Sequence, residues 1–269
     1  MQELTPNSRP RASRDIYAFW QLVAVKVRLN LRSEASQSYL SYAWWVLEPL
    51  LFMIVFYIVF KILLHRGTEN FVSFLLCGII PWLWFQKSVT NAGGSIIQGK
   101  SLIGQVYLPK TFFPLVVIGQ DFVKQFSVFA MLLAYLAYEG YAPNLNWWWL
   151  VPLVLTQVIF IVAVSFVFAF LIPFARDIKY LVDAGLRMMM FVSGVFYSYK
   201  DVLLPEHREI FLFNPMANFI VNYRKVLLEN TVPMVTSLLV ITLVSALVIA
   251  LMCLVMRRFE NTLTRLALE

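Results

Sequence analysis

The chain has 269 residues and a net charge of +7, 60% of its residues are hydrophobic and 14% are charged, and its mean hydropathy is +0.73. These values exclude a soluble domain and predict a membrane protein with several spans in one membrane domain. The positive charge does not indicate a nucleic-acid partner, because the basic residues lie beside apolar segments and not in one polar patch. The two cysteines lie far apart in apolar segments and neither histidine has a second ligand nearby, so neither a disulfide framework nor a metal site is predicted.

Residues 1–38 are predicted to form a cytosolic leader. Its first 15 residues contain Pro6 and Pro10 and lack the apolar segment of a signal peptide. From residue 14 to residue 32, apolar side chains such as Trp20, Val23 and Val27 recur at helical spacing between basic ones. This pattern predicts an amphipathic helix in the membrane interface.

Six apolar segments are predicted to cross a hydrocarbon core about 30 Å thick as helices. They cover residues 42–64, 71–89, 112–138, 147–174, 180–197 and 232–256. Residues 39–256 therefore form the predicted transmembrane domain, and residues 257–269 form a cytosolic tail. Between the last two spans, residues 199–231 are amphipathic and contain two prolines. We expect this segment to hold short helices that lie in the interface or dip into it. The predicted fold class is an all-α membrane protein with six transmembrane helices.

The distribution of Lys and Arg predicts the orientation of the chain. The leader, residues 91–111, residues 175–179 and the tail from residue 257 carry thirteen of these basic residues, whereas the three alternate loops carry five. Basic residues are enriched in cytosolic loops. Both termini are therefore predicted to lie in the cytosol, with the protein in the cytoplasmic (inner) membrane.

Residues 94–101 match the P-loop pattern, with Gly94, Gly99, Lys100 and Ser101 at the required spacing. A P-loop needs a buried strand before the loop and a helix packed on a parallel sheet after it. Here an apolar membrane segment stands on each side, which leaves no room for a sheet. We therefore interpret the pattern as a chance match and predict no nucleotide site.

One face of the first span is aromatic. Phe52, Phe56 and Phe60 recur every four residues, and Trp45 stands seven residues before Phe52. Two interpretations stay open, namely helix packing and the lining of a path along which sugar rings slide. Glu48 in the same span must face protein or water, or reach the nearby interface. The candidate residues of a translocation path are Trp45, Glu48, Phe52, Phe56, Phe60, Phe191 and Tyr197.

The few charged residues inside the later apolar segments do not form a catalytic set. Asp121 and Lys124 are three residues apart, and Asp183 and Arg187 are four residues apart, so each pair can neutralise itself on one helix face. We interpret these residues as structural pairs and not as a proton relay. No catalytic residue is predicted.

Five groups of residues, taken together and in order, carry a family resemblance. They are Val27-Arg-Leu with Tyr42-Ala-Trp-Trp-Val-Leu-Glu-Pro49, Gly78-Ile-Ile-Pro-Trp-Leu-Trp-Phe85, Ser95-Ile with Leu102-Ile-Gly-Gln-Val-Tyr-Leu-Pro-Lys110, Phe174-Ala-Arg-Asp-Ile178, and Asn214-Pro-Met with Tyr223-Arg-Lys-Val-Leu-Leu228. With them, nearly the whole chain after the leader resembles the membrane subunit of ABC-2 type exporters, the class that moves O-antigen, capsule or teichoic-acid polymers.

This resemblance implies a permease subunit that is not an enzyme and holds no cofactor, because ATP and Mg²⁺ bind to separate ATPase subunits. The implied partners are a second copy of the chain, two copies of an ABC ATPase, membrane lipid, and a lipid-linked polysaccharide that crosses outward. Residues 102–110 would form a cytosolic coupling helix that docks into the ATPase, and residues 199–231 would form a re-entrant outer segment. The implied coupling residues are Leu102, Gln105, Tyr107, Pro109 and Lys110, and candidates for contacts with a headgroup or the interface are Arg28, Arg32, Arg176 and Asp177.

Three alternatives stay open at this point. An ABC-2 exporter of a drug or a small lipid would share the layout. A secondary carrier would need an internal repeat and an ion site near the membrane centre, and the two halves of the sequence show no repeat. A membrane-embedded glycan-processing enzyme would need a polar catalytic cluster, which the sequence does not indicate.

Overall fold

The structure, a computed structural model, describes residues 11–37, 47, 50–51, 54–55, 58–63, 70–141, 143–202 and 204–268. Within these residues the regular secondary structure is helical and contains no β-strand, which confirms the predicted all-α class. A π-helical turn covers Ile58–Leu63 and a 3₁₀ turn covers Leu145–Trp149. The α-helices are α1 (Arg11–Gln37), α2 (Phe71–Gly93), α3 (Ser95–Gln98), α4 (Lys100–Ile103), α5 (Phe112–Tyr138), α6 (Leu150–Leu171), α7 (Ile178–Val192), α8 (Tyr199–Val202), α9 (Pro205–Leu212), α10 (Pro215–Leu227), α11 (Val235–Arg258) and α12 (Glu260–Leu268).

Four of the described helical segments are long and apolar enough to cross a membrane, and they coincide with the predicted second, third, fourth and sixth spans. The mean hydropathy of a segment is related to how much of it is buried by protein. The most apolar, α11, reaches 3.1, and only 17% of its most apolar window is buried, whereas α2 reaches 1.3 and is 78% buried. A helix that faces lipid needs apolar side chains, but a helix that faces protein can carry polar ones. The four segments are Phe71–Gly93, Phe112–Tyr138, Leu145–Leu171 and Val235–Arg258.

The other two predicted spans have different outcomes. Most of the first, residues 42–64, lies outside the described residues. The fifth, predicted over residues 180–197, is a helix of only 15 residues that ends at Val192, or about 22 Å at 1.5 Å per residue. It ends there because Gly194 adopts a φ of 72°, a left-handed conformation that terminates helices and that glycine adopts without strain.

Helix α2 lies at the centre of the bundle and packs against α5, α6, α7 and α10. It contributes more buried side chains than any other helix to one large apolar cluster, including the fully buried Leu75, Ile79 and Trp82. Helix α11 packs along α6 at the periphery. Helices α5, α6, α7 and α10 therefore surround α2, and α11 lies outside them.

Helix α10 is buried inside the bundle, although its sequence is too polar for a span. It begins at Pro215, and the side chain of Asn214 caps it by accepting a hydrogen bond from the Met216 N–H at 3.0 Å. The Tyr223 hydroxyl donates to Gln157 Oε1 at 2.7 Å, and Gln157 Nε2 donates to the Pro81 carbonyl at 2.9 Å. Pro81 lies roughly 15 Å along α2 from its first residue, so α10 reaches well into the bundle from that end.

Arg224 of α10 holds the turn that follows α7. Its Nη1 donates to the Gly194 carbonyl and its Nη2 donates to the Val195 carbonyl, both at 2.7 Å. Its Nε donates to the Phe74 carbonyl at 3.2 Å, and the guanidinium carbon lies 3.4 Å from the centroid of the Phe74 ring. A Cβ at Gly78 would lie 2.7 Å from Arg224 Nη2. Two segments that carry the family resemblance therefore meet at this arginine.

Helix α1 runs alongside the first half of α5. The Phe19 and Phe112 rings lie 6.2 Å apart near one end of this contact, and Glu34 and Lys124 form an ion pair of 2.6 Å near the other. The predicted amphipathic segment is therefore helical, and its buried Val23 faces the bundle.

The second predicted charged pair is arranged differently from the prediction. Asp183 accepts a hydrogen bond from the Thr90 hydroxyl of α2 at 2.7 Å, while Arg187 Nε donates to the backbone carbonyl of Asp183 at 3.2 Å. The carboxylate thus joins α7 to α2, because Thr90 offers a donor on the neighbouring helix.

Candidate functional site

One end of the bundle, here called the basic end, collects most of the loops with an excess of Lys and Arg. Helices α2, α6 and α11 end there and α5 begins there, since Gly93 packs near Ile172 and Phe166 shares an apolar cluster with Phe112 and Met256. It is the end that the basic residues predict to be cytosolic. Its basic residues are Lys100, Lys110, Arg176, Lys179, Arg257, Arg258 and Arg265.

The residues that match the P-loop pattern form two short helical turns, α3 and α4, at this end. Gly94 and Gly99 have φ values of −84° and −77°, and the element before them is the helix α2. Lys100 Nζ contacts the Leu268 carbonyl. A Cβ at Gly99 would lie 2.3 Å from the ring of Phe113, so close packing explains this glycine and a phosphate is not needed.

The predicted coupling helix, residues 102–110, is helical only as far as Ile103 and continues as a turn. Gly104 follows the helix directly, and Pro109 disfavours the helical conformation of the residue before it. Tyr107 is 79% exposed and Val106 is 52% exposed. Gln105 and Pro109 are also exposed, and Leu102 is half-buried.

Lys110 differs from the other predicted coupling residues because it is only 4% exposed. It precedes α5 and lies in the wall of a cavity beside Phe19, Trp20 and Glu260. Burial lowers the pKa of the Lys110 ammonium, and the charge of Glu260 opposes that change. The Lys110 side chain is therefore not part of the exposed surface around Tyr107.

The C-terminal helix α12 packs against this loop. Leu263 and Ala267 are buried in the same apolar cluster as Ile103, and the Tyr107 hydroxyl donates to Glu260 Oε2 at 3.1 Å. This hydrogen bond raises the pKa of the Tyr107 phenol. From the sequence, residues 257–269 are predicted only to form a cytosolic tail. The available signal was the spacing of three and four residues between Leu263, Leu266 and Ala267, which is typical of an amphipathic helix.

The predicted path residues are not brought together by the described part of the chain. Trp45, Glu48, Phe52 and Phe56 lie outside the described residues, and Phe60 falls in the π-helical turn, where its side chain is not described. Phe191, 57% exposed, lies at the end of α7 with its ring 5.3 Å from Phe196. The Tyr197 hydroxyl donates to the Val192 carbonyl at 3.2 Å. Both therefore flank the turn that Arg224 holds.

The four predicted headgroup or interface residues are exposed. Arg28 and Arg32 lie on α1, while Arg176 and Asp177 form the turn between α6 and α7 at the basic end. Their side chains are free to meet lipid or another protein.

No protein family model matches the chain, but curated proteins do. The chain is 30% identical over 213 residues to an O-antigen export system permease protein RfbA of Klebsiella pneumoniae. This alignment covers 79% of this chain and 82% of that protein. A second RfbA of Klebsiella pneumoniae is 28% identical over 212 residues, and the alignment covers 78% of this chain and 82% of that protein. An RfbA of Myxococcus xanthus is 26% identical over 241 residues, and the alignment covers 89% of this chain and 92% of that protein. These similarities confirm the resemblance inferred from the sequence motifs, and the chain belongs to the family of ABC-2 type O-antigen export permeases.

Proposed function

We propose that this protein is the membrane subunit of an ATP-driven exporter that moves a lipid-linked O-antigen polysaccharide outward across the cytoplasmic membrane. The observation that carries the proposal is the similarity to O-antigen export permeases over most of both chains. Two copies of the chain would act with two ATPase subunits, which bind ATP and Mg²⁺. The chain itself would perform no chemical step.

The positions of the helix ends are consistent with six crossings with both termini on one side. Phe19 of α1 and Glu260 of α12 line the same cavity at the basic end, whereas α2 and α11 begin at the opposite end. Between α6, which ends at the basic end, and α11, which begins at the opposite end, the chain must cross once more. Added to the four long helical segments, this supports five crossings. The predicted first span over residues 42–64 would be the sixth, and α10 would be a re-entrant segment before the last.

The exposed loop at the basic end supports a docking role toward the ATPase. Val106 and Tyr107 present apolar and aromatic surface to solvent, while Lys100 and Tyr107 are held by contacts with α12. A loop fixed on both sides can transmit a displacement of the ATPase to the membrane helices. We propose that this loop, and not Lys110, carries the contact with the ATPase.

The exposed face of α7 supports a homodimer. Tyr180 and Leu181 are each 74% exposed, and Met188 is 71% exposed, so the helix leaves an apolar face open along its length. Because α7 is short and is followed by the Arg224 turn, a second copy that packs here would place Phe191 and Tyr197 beside the shared path. The predicted aromatic face of the first span would complete that path.

Gene deletion and complementation test the function. Deletion should remove O-antigen from the cell surface and leave polymer inside the cell, and the wild-type gene should restore export. An ATPase partner without its catalytic glutamate should not support export. Unchanged surface glycan after deletion would refute the proposal and favour an exporter of a drug or a small lipid.

Matched alanine variants test the docking loop. Tyr107→Ala should reduce both surface O-antigen and co-purification of the ATPase, because it removes the most exposed side chain of the loop. Tyr138→Ala is the control, since Tyr138 is 88% exposed but lies at the opposite end of the bundle. Equal effects of both variants, at equal amounts of protein in the membrane, would contradict the docking role.

A further inference from the structure

A cavity of about 770 Å³ opens at the basic end between α1, the loop after α4, α6 and the junction of α11 with α12. It is here called the basal cavity. Its floor is apolar and includes Leu115, Val162, Phe166, Ile249 and Met256, and its rim carries Trp20, Tyr107, Lys110, Arg257 and Glu260. Arg257 lies in the last turn of α11, and Trp20 lines the same cavity. This combination of residues marks the depth of lipid headgroups.

Two charged side chains in this wall have hydrogen-bonding capacity that the described part of the chain does not use. Lys110 is 4% exposed, and no hydrogen bond or ion pair is found for its ammonium there. Glu260 accepts the Tyr107 hydrogen bond through Oε2, but its Oε1 is buried without a donor. Lys110 and Glu260 do not form an ion pair with each other, although the charge of Glu260 influences Lys110.

A buried acceptor without a donor, such as Glu260 Oε1, is costly. The Lys110 side chain is mostly buried in the same wall, so a partner for each of the two groups would stabilise the working protein. Lys110 can only donate, and an ionised Glu260 can only accept. One occupant that satisfies both must therefore present an acceptor and a donor together. The apolar floor further requires that the same occupant carry hydrocarbon, which a water molecule does not.

We propose that the basal cavity binds a zwitterionic phospholipid with a phosphoethanolamine headgroup. The lipid phosphate accepts from Lys110 Nζ and from the Arg257 guanidinium, and the lipid ammonium donates to Glu260. One acyl chain lies on the apolar floor between α6 and α11. Phosphocholine offers no N–H donor to Glu260, and phosphoglycerol offers only hydroxyls and adds a net negative charge beside the carboxylate.

This assignment is independent of what the exporter carries and gives the lipid a structural consequence. Glu260 holds the exposed Tyr107, and Lys110 is separated from Tyr107 by two residues. A lipid that bridges Lys110 and Glu260 therefore joins the two sides of the loop that we propose to dock on the ATPase. It stabilises one position of this loop relative to α12.

Native mass spectrometry of the full-length protein, delipidated in detergent and titrated with single lipids, tests the proposal. We expect phosphatidylethanolamine to be retained roughly tenfold better than phosphatidylcholine with the same acyl chains, because a charge-assisted hydrogen bond is lost with the choline headgroup. Glu260→Gln should remove this preference. Lys110→Met should reduce retention of both lipids, and Lys110→Arg should restore it.

The control variant is Lys225→Met, which removes a lysine at the opposite end and should leave retention unchanged. Size-exclusion profiles and thermal unfolding identify variants that fail to fold, and for those the Lys110→Arg comparison carries the test. Equal retention by the wild type, Lys110→Met and Glu260→Gln would overturn the proposal and leave water as the occupant. Preference for phosphatidylglycerol, or displacement of phosphatidylethanolamine by a polyprenyl phosphate at equal concentration, would overturn the assignment of the headgroup.

Discussion

Replacement of Arg224 by methionine should destabilise the protein strongly. Methionine keeps most of the apolar length of the side chain but removes the donors to the carbonyls of Gly194, Val195 and Phe74. Arg224 is 7% exposed, so water cannot replace these donors fully. A hydrogen bond from a charged group contributes about 1.5–3 kcal/mol. The two bonds of 2.7 Å therefore predict a loss of at least about 3 kcal/mol.

Thermal unfolding of the purified protein in detergent measures this effect. For a chain of this size a loss of 1 kcal/mol lowers the Tm by roughly 2–4 °C, so Arg224→Met should lower it by about 6–12 °C. Arg224→Lys should recover only part of the loss, because one ammonium cannot reproduce the planar fork of a guanidinium. Lys225→Met is the matched control, since it removes the adjacent basic residue of α10 and should change the Tm little. A Tm for Arg224→Met within about 2 °C of that control would refute the reasoning.

Three further predictions concern the basic end. Gly99→Ala should lower the Tm, because the Cβ of the alanine would lie 2.3 Å from the Phe113 ring and would have to displace that ring. An unchanged Tm would show that the Phe113 ring moves freely. The isolated wild-type chain should be labelled by a photoreactive ATP analogue only at background level, and Lys100→Ala should not change that level. Labelling that depends on Lys100 would indicate a functional P-loop. Lys110→Met should stabilise the lipid-free protein at neutral pH. Burial lowers the pKa of Lys110, which means that the charged ammonium destabilises the folded state, and methionine carries no charge. The difference in Tm from the wild type should shrink as the pH rises from the lowered pKa of the folded state toward the ordinary lysine pKa of about 10.4, where both states lose the charge. A difference that grows over this range would contradict the sign of the shift.

The sequence alone was sufficient for the membrane class, for four of the spans and for the family. A helix in lipid must satisfy its own backbone and present apolar side chains, so a span such as Val235–Arg258 is visible in the hydropathy of the chain. The family resemblance likewise depended on local residue groups in a fixed order, and the similarity to curated permeases confirmed it. Such signals need no knowledge of which helices touch.

The features of the candidate site depend on contacts between distant residues, and local patterns did not predict them. Arg224 and Phe74 are separated by 150 positions, and Tyr107 and Glu260 by 153. The extent of α7 was overestimated because hydropathy continues past Gly194, whereas its left-handed conformation ends the helix. The family resemblance implied that Lys110 lies at the docking surface, whereas the packing of distant segments buries its side chain.

What the sequence by itself determined is therefore which segments are apolar, helical and basic, since these properties belong to each segment alone. What only the tertiary structure decided is which polar groups are left without partners when the segments pack. Lys110 and Glu260 are ordinary residues in the chain. They become a candidate site because α1, the loop after α4 and α12 bring both of them into the wall of one cavity at one end of the bundle.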